Sequence, residues 1–454
     1  MNSLPSKLFR VYLMVLLAAS FGPEAGGQKL EQQVRKVLRR GVEYFRSIAT
    51  CGGYLWRYSE DLSRRYGEGK ATASQIWVQP PGTPAVGFAF LEAYEATQEP
   101  LYLIAARDAA QALVWGQLES GGWDYRIDFS AEAPYRWRYR HSAAYMPPSQ
   151  GRNTSTFDDN NSQSALRFLM AVHQLMDEPW LREAVEYGLA FMLQSQYPNG
   201  AWPQRYPPPN NYGGYYTFND NAINDCIYVM LDAYRYYGRP EYLASAQRGG
   251  NFIILSQLPA PQAGWAQQYD FDLKPAWARW FEPPSVCSAV VSRNIRTLIT
   301  LYLETGEEKY LQPIPAAIAW LEQSKIGENL WARFYELETN RPIYVNLERK
   351  VVYEFVNIRP GYSWKGSYGI PGVIALYQKV KQLGREQYLA QQQQPLSAEA
   401  RRARLRALEP QVRAIVAAQD DHARWVENGW INCSTFIRHL ERLSEYLRLL
   451  AQGG

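Results

Sequence analysis

Cysteine and histidine are scarce, four of each in 454 residues. Cys51, Cys226, Cys287 and Cys433 lie far apart with no Cys-x-x-Cys pair, which excludes a disulfide framework and a thiolate zinc site. His141, His173, His422 and His439 lack metal-ligand spacing, so a histidine metal centre is excluded too. Lysine is also short, 11 of 48 basic residues, leaving 37 arginines. A net charge of +4 is too small to signal a nucleic-acid partner. Only the N-terminus carries an apolar run, and at Val11–Ala19 it is too short to span a bilayer.

That run follows Lys7 and Arg10 and precedes small residues at Ser20–Ala25, the layout of an export signal over residues 1–27. The expected product is secreted or periplasmic, with no membrane contact after signal cleavage, and acts as a monomer. Aromatics, by contrast, are abundant: 15 Trp and 33 Tyr. Carbohydrate-active proteins use aromatics this heavily, and so does a helical core that packs them.

Apolar residues recur at helical spacing in Leu30–Ile48, Ala85–Thr97, Leu101–Leu118 and Pro179–Gln196. Between helices one phrase returns: Trp56-Arg57-Tyr58, Trp123-Asp124-Tyr125, Trp202…Tyr206, Trp265…Tyr269 and Trp331…Tyr335. The intervals are 67, 79, 63 and 66 residues, room for two helices and a loop. Helical hairpins repeated in this way predict an all-α fold, an α/α toroid with long aromatic loops around a central cleft. The expected division is a toroid domain over 28–383, a linker over 384–397 containing the Gln-rich tract, and a C-terminal helical appendage over 398–454.

The loop Gln194–Asp220 concentrates unusual chemistry. Its prolines forbid a helix interior, while Trp202, Arg205, Tyr206, Tyr215 and Tyr216 offer stacking faces and a cation, and Asp220 opens the next helix. Three other loop-to-helix junctions share this chemistry: Thr156–Ser162 with Asp158 and Asp159, Trp277–Ser285 with Arg279, and Trp331–Tyr362 with Arg333, Arg341 and Arg359. An aspartate at a helix start is often only an N-cap, contributing about 1 kcal/mol. Two acidic and several arginine junctions at equivalent ends of successive repeats would instead face one cleft.

The motifs TFDDNNSQSALRFL (Thr156–Leu169), QYPNGAWPQRYP with TFNDNA (Gln196–Ala222), AWARWFEPPS (Ala276–Ser285), and WARFYELETNRPIY with NIRPGYSW (Trp331–Trp364) resemble the family 10 polysaccharide lyases, the pectate lyases on a partly closed α/α toroid. The resemblance covers roughly residues 40–375. It implies Ca²⁺-assisted β-elimination of polygalacturonate. It further implies Asp158 and Asp220 at the calcium and active centre, Arg279 as base, and Arg333, Arg341 and Arg359 on substrate carboxylates. Asp159 joins the metal candidates because the family's usual Asp-Asn is Asp158-Asp159 here. Gly200-Ala201 replaces a usual Gly-Gly, and Asn160 and Asn161 replace small residues.

An arginine base is chemically demanding, since the side chain normally stays protonated. If Arg279 instead clamps the substrate, Tyr206 or Tyr335 becomes the candidate base. Two other readings compete: a glycoside hydrolase of an acidic polysaccharide with Asp158 and Asp220 as acid and base, and a non-catalytic polysaccharide-binding protein whose aromatics are platforms.

Overall fold

The computed structural model describes residues 25–142 and 151–452. The export-signal segment lies outside the described residues except for 25–27, which open the first helix. The described helices are α1 (Ala25–Ile48), α2 (Thr83–Thr97), α3 (Pro100–Trp115), the one-turn α4 (Ala133–Arg136), α5 (Asn161–His173), α6 (Pro179–Gln194), α7 (Ala222–Tyr237), α8 (Pro240–Leu255), α9 (Ser288–Thr305), α10 (Ile314–Gln323), α11 (Ile370–Gln393), α12 (Ala398–Ala418) and α13 (Cys433–Ala451). None is long and apolar enough to cross a membrane.

At one end of the hairpins the connections are tight. Helices α2, α7 and α9 stop on a left-handed residue (Gln98 φ 59°, Gly238 φ 67°, Gly306 φ 76°) whose N–H returns to the last turn. Proline then presets the first turn of α3, α6 and α8 at Pro100, Pro179 and Pro240. At the other end the connections are the long aromatic loops, so the cleft opens on that side only.

Helices α13, α2, α5, α7, α9 and α11 stand side by side in that order, backed by α12, α1, α3, α6, α8 and α10. This is the α/α toroid expected from the repeat. The inner helices bury residues around most of their circumference, as in α9 from Ser288 to Tyr302, whereas α1 buries one stripe, Leu30, Val34, Val37, Leu38, Val42 and Phe45.

The repeated tryptophan has a structural cause. Four of the five repeat indoles donate their N–H to a carbonyl near the end of the preceding outer helix: Trp123 to Leu113 (2.8 Å), Trp202 to Met192 (2.9 Å), Trp265 to Ile253 (2.7 Å) and Trp331 to Leu321 (2.7 Å), whereas Trp56 departs from the pattern and donates to the Gln79 carbonyl (2.8 Å) in the loop that follows it. The bond ties loop to helix and satisfies a carbonyl that the helix end leaves unpaired. Trp425 does the same with Ile415 (3.0 Å), so the C-terminal hairpin carries a further copy. Helix α13 packs on α1 and α2, and Trp430–Asn432 pairs antiparallel with Arg57–Ser59. The tract read as a linker is helical as far as Gln393, with a break at Gly384 (φ 71°).

Candidate active site

Short antiparallel pairings across the loops set the floor of the cleft. Ser155-Thr156 pairs with Arg205-Tyr206, and Tyr216-Thr217 with Gln268-Tyr269. Each pairing leads into a one-turn 3-10 segment and then an inner helix: Asp158–Asn160 before α5, and Asn219–Asn221 before α7. The two junctions superpose residue for residue in backbone conformation. Asp159 (φ 50°, ψ 32°) corresponds to Asp220 (φ 45°, ψ 33°), and the left-handed Asn160 to Asn221. The counterpart of Asp158 is therefore Asn219, not Asp220. Left-handed backbone is strained for any residue but glycine, and Asp and Asn tolerate it best.

This conformation brings Asp158, Asp159 and Asp220 together, with one carboxylate oxygen of each within 4.8 Å of the others. Asp158 Oδ2 accepts from Tyr125 Oη (2.8 Å), and Asp220 Oδ2 from Asn219 Nδ2 (2.8 Å). The N-cap reading of these aspartates fails, because none of them accepts a capping N–H: the residues preceding α5 and α7 are Asn160 and Asn221, and neither side chain caps. Burial, then the neighbouring Asp220 charge, raises the Asp158 carboxyl above its ordinary range. Asp159 is pushed up to about 7, first by burial and then by Asp158 and Asp220.

Crowded carboxylates of this kind call for a cation. The Asp158 Oδ1 atom and the amide oxygens of Asn160, Asn161, Asn219 and Asn221 are buried without a hydrogen-bond partner among the described residues. An all-oxygen donor set is what a hard divalent ion such as Ca²⁺ takes. The residues fit the ion.

Cations stand opposite. Arg279 makes a two-pronged ion pair with Glu282 (Nη2–Oε1 2.6 Å, Nε–Oε2 2.8 Å), and its backbone N–H donates to the same carboxylate (3.1 Å). The Glu282 side chain is only 2% exposed and also accepts from Tyr362 Oη (3.0 Å). The pair holds the Arg279 guanidinium well above its ordinary pKa, the reverse of what a base needs. Arg333, 7% exposed, lies over the Tyr362 ring at 4.5 Å and donates to Gln267 Oε1 (3.2 Å), while its buried Nε has no partner among the described residues. Asp220 acts electrostatically on both arginines. Arg359 stacks on Phe281 at 3.7 Å, and Arg279 on the same ring at 4.8 Å.

The structure thus gathers Asp158, Asp159, Asp220, Arg279 and Arg333, with Arg359 alongside. Arg205, on the strand paired with Thr156, is exposed and lies within electrostatic reach of Tyr125. Tyr206 is half-buried, edge-on to Phe191. Three expectations are corrected. Trp202 is fully buried as a loop pin and offers no face to a sugar. Arg341 stacks on Tyr353 at 3.6 Å and acts electrostatically on Glu336, so its described partners belong to that hairpin and not to the carboxylate centre. Tyr335 is buried, accepting from the Ala332 N–H and donating to the Ser324 carbonyl, as Tyr269 does with Ala266 and Ser256. It is a framework residue, not a base.

The sequence reading missed Tyr125, Gln204, Gln267, Glu282 and Tyr362. Tyr125, Gln204, Gln267 and Arg333 each stand two residues after a repeat tryptophan, a register that points them to the cleft. Glu282 sits three residues beyond Arg279 in a motif already singled out.

The loop end of the toroid sets a carboxylate cluster against arginines. The pectic acid lyase family model matches residues 117–329 and 323–371, more than half of the chain. A family 10 polysaccharide lyase from Cellvibrio cellulosa is 23% identical with a TM-score of 0.51, over 66% of this chain and 97% of that one. A mutant family 10 lyase from the same organism, in complex with trigalacturonic acid, is 22% identical with a TM-score of 0.50, over 65% and 98%. These likenesses establish a shared fold. A comparison with curated proteins finds no match. The chain belongs to the pectic acid lyase family and is a polysaccharide lyase.

Proposed function

We propose that this lyase is exported and cleaves a polygalacturonate-type chain by Ca²⁺-assisted β-elimination. The observation that carries the reading is the meeting of Asp158, Asp159 and Asp220, from two equivalent junctions, opposite Arg279 and Arg333. The trigalacturonic acid held by the structural relative supports the substrate class.

Elimination removes the proton at C5, α to the uronate carboxylate, and expels the glycosidic oxygen at C4, which takes its proton from water. Asp158, Asp159 and Asp220 are the residues that would hold the ion, with the orphaned asparagine oxygens beside them. Bound there, Ca²⁺ supplies positive charge next to the substrate carboxylate and stabilises the enolate-like charge that forms on deprotonation. Arg333, buried with a free Nε–H, is placed to donate to that carboxylate. Arg359 and Arg205 extend the cationic wall. Arg279 is a charge while it is paired with Glu282, and becomes a proton acceptor only when substrate draws it off that partner.

Carboxylate oxygens this close, within 4.8 Å, suit a shared cation better than the wider separation that acid and base take in a hydrolase. The test is product structure. Mass spectrometry of polygalacturonate digests should show oligomers with an unsaturated, dehydrated non-reducing end. Fully hydrated oligomers would overturn the proposal.

A further inference from the structure

We infer that the cleft continues past the carboxylate centre onto a cation–aromatic row that binds additional uronate residues of a long polymer. The inference rests on the proposed function. The row stands on the four-stranded sheet formed by Arg57–Ser59, Arg65-Tyr66, Val426-Glu427 and Trp430–Asn432. Trp430, from the C-terminal hairpin beyond the family-model match, has two guanidiniums against its ring, Arg57 at 4.9 Å and Arg64 at 4.7 Å. Arg57 also covers Tyr66 at 5.1 Å, and Tyr66 meets Trp430 edge-on at 5.7 Å. Ser59 pairs with Trp430, Arg57 pairs with Tyr66, and the Ser59 N–H bonds the Arg64 carbonyl, so all four side chains share one face.

That face carries two exposed arginines and one acid, Glu427, which pairs across the strands with Trp430. Arg57 and Arg64 are exposed and form no ion pair among the described residues. The acids around them are held by other partners: Glu427 by Thr435 (2.7 Å) and Arg438 (3.6 Å), Glu60 by Arg424 (2.8 Å), and Asp61 by Ser59 and Ser63. The Trp430 indole holds two guanidiniums by cation–π contact, leaving their N–H groups for carboxylates. A line of neighbouring residues leads from the row toward the carboxylate centre. Past Tyr66 the chain turns back through Glu68, which acts electrostatically on Asp159, and Arg126, beside the Asp158 partner Tyr125, stacks on Trp77 at 5.5 Å. A polyanion seated at the aspartates and running this way meets Arg126, then Arg57 and Arg64.

The test is the chain-length dependence of turnover in Arg57→Gln, Arg64→Gln and the double variant of the full chain. KM for long polygalacturonate should rise about three- to tenfold per arginine, with kcat/KM for trigalacturonate as internal reference and moving less than twofold. An equal fall on both substrates, or no change on either, overturns the inference. Calorimetric binding of a long uronate oligomer, with chelator present, reads the row independently of turnover. If the wild type shows no elimination, the proposed function falls; if it eliminates while affinity for the long oligomer is unchanged in the double variant, only the row falls.

Discussion

Asp159 and Asp220 hold the same left-handed backbone conformation, within 5° in φ and 1° in ψ, at matching positions of consecutive repeats, and their carboxylates converge. One repeat unit, used twice, builds a site that neither copy holds alone. Asp159→Asn and Asp220→Asn should each lower kcat/KM on polygalacturonate by about 100-fold or more, the scale of losing preorganised charge stabilisation. Excess Ca²⁺ should restore part of the loss, and a calcium titration of activity checks it.

The raised Asp159 carboxyl gives a stability prediction with a definite sign. A carboxyl whose folded pKa of about 7 lies above its ordinary value contributes stability below the ordinary value, and that contribution is lost as pH rises through about 7. In chelator, the melting temperature of the wild type should therefore fall between about pH 4 and pH 7, and Asp159→Asn should flatten that fall. Calcium should raise the melting temperature more at pH 8 than at pH 5, because protons compete for the same oxygens.

Glu282 governs the charge of Arg279. Glu282→Gln removes the anion that raises its pKa, so the acid limb of the pH–rate profile should move to lower pH if the freed guanidine accepts the proton. Arg279→Lys cannot reproduce the two-pronged pair and should cost about 100-fold in kcat with a smaller change in KM. Steady-state kinetics across pH separates the two effects.

The C-terminal hairpin should be needed for the ring to stay folded. Trp425→Phe loses the indole bond to Ile415, about 1 kcal/mol, and Trp425→Ala should cost roughly 3–5 kcal/mol through the cavity as well. Removing residues 398–454 uncovers the faces of α1 and α2 that α13 buries, and soluble yield should collapse. Denaturant unfolding of the point variants gives the energies.

The repeat was legible because the tryptophan does one mechanical job at Trp123, Trp202, Trp265 and Trp331, although Trp56, alike in sequence, bonds the Gln79 carbonyl instead. Its copy at Trp425 was hidden, since the hairpin through Pro342–Val345 and the long α11 stretch the interval after Trp331. Trp202 misled for a related reason: an aromatic in a proline-rich loop looks exposed, yet its indole reaches back to Met192. The acidic junctions were visible, but the pairing of Asp159 with Asp220 depends on two left-handed residues that composition does not announce. Gln204, Gln267 and Tyr125 became site residues only when strands two residues long fixed which way each loop faces.

The most direct measurement is ultraviolet absorbance of polygalacturonate incubated with the purified protein, in calcium and then in chelator. Absorbance from a new C4–C5 double bond should grow steadily in calcium, stop on chelation and resume when calcium is returned. New reducing ends appearing without that absorbance, or a rate indifferent to chelator, would contradict a calcium-assisted elimination at Asp158, Asp159 and Asp220.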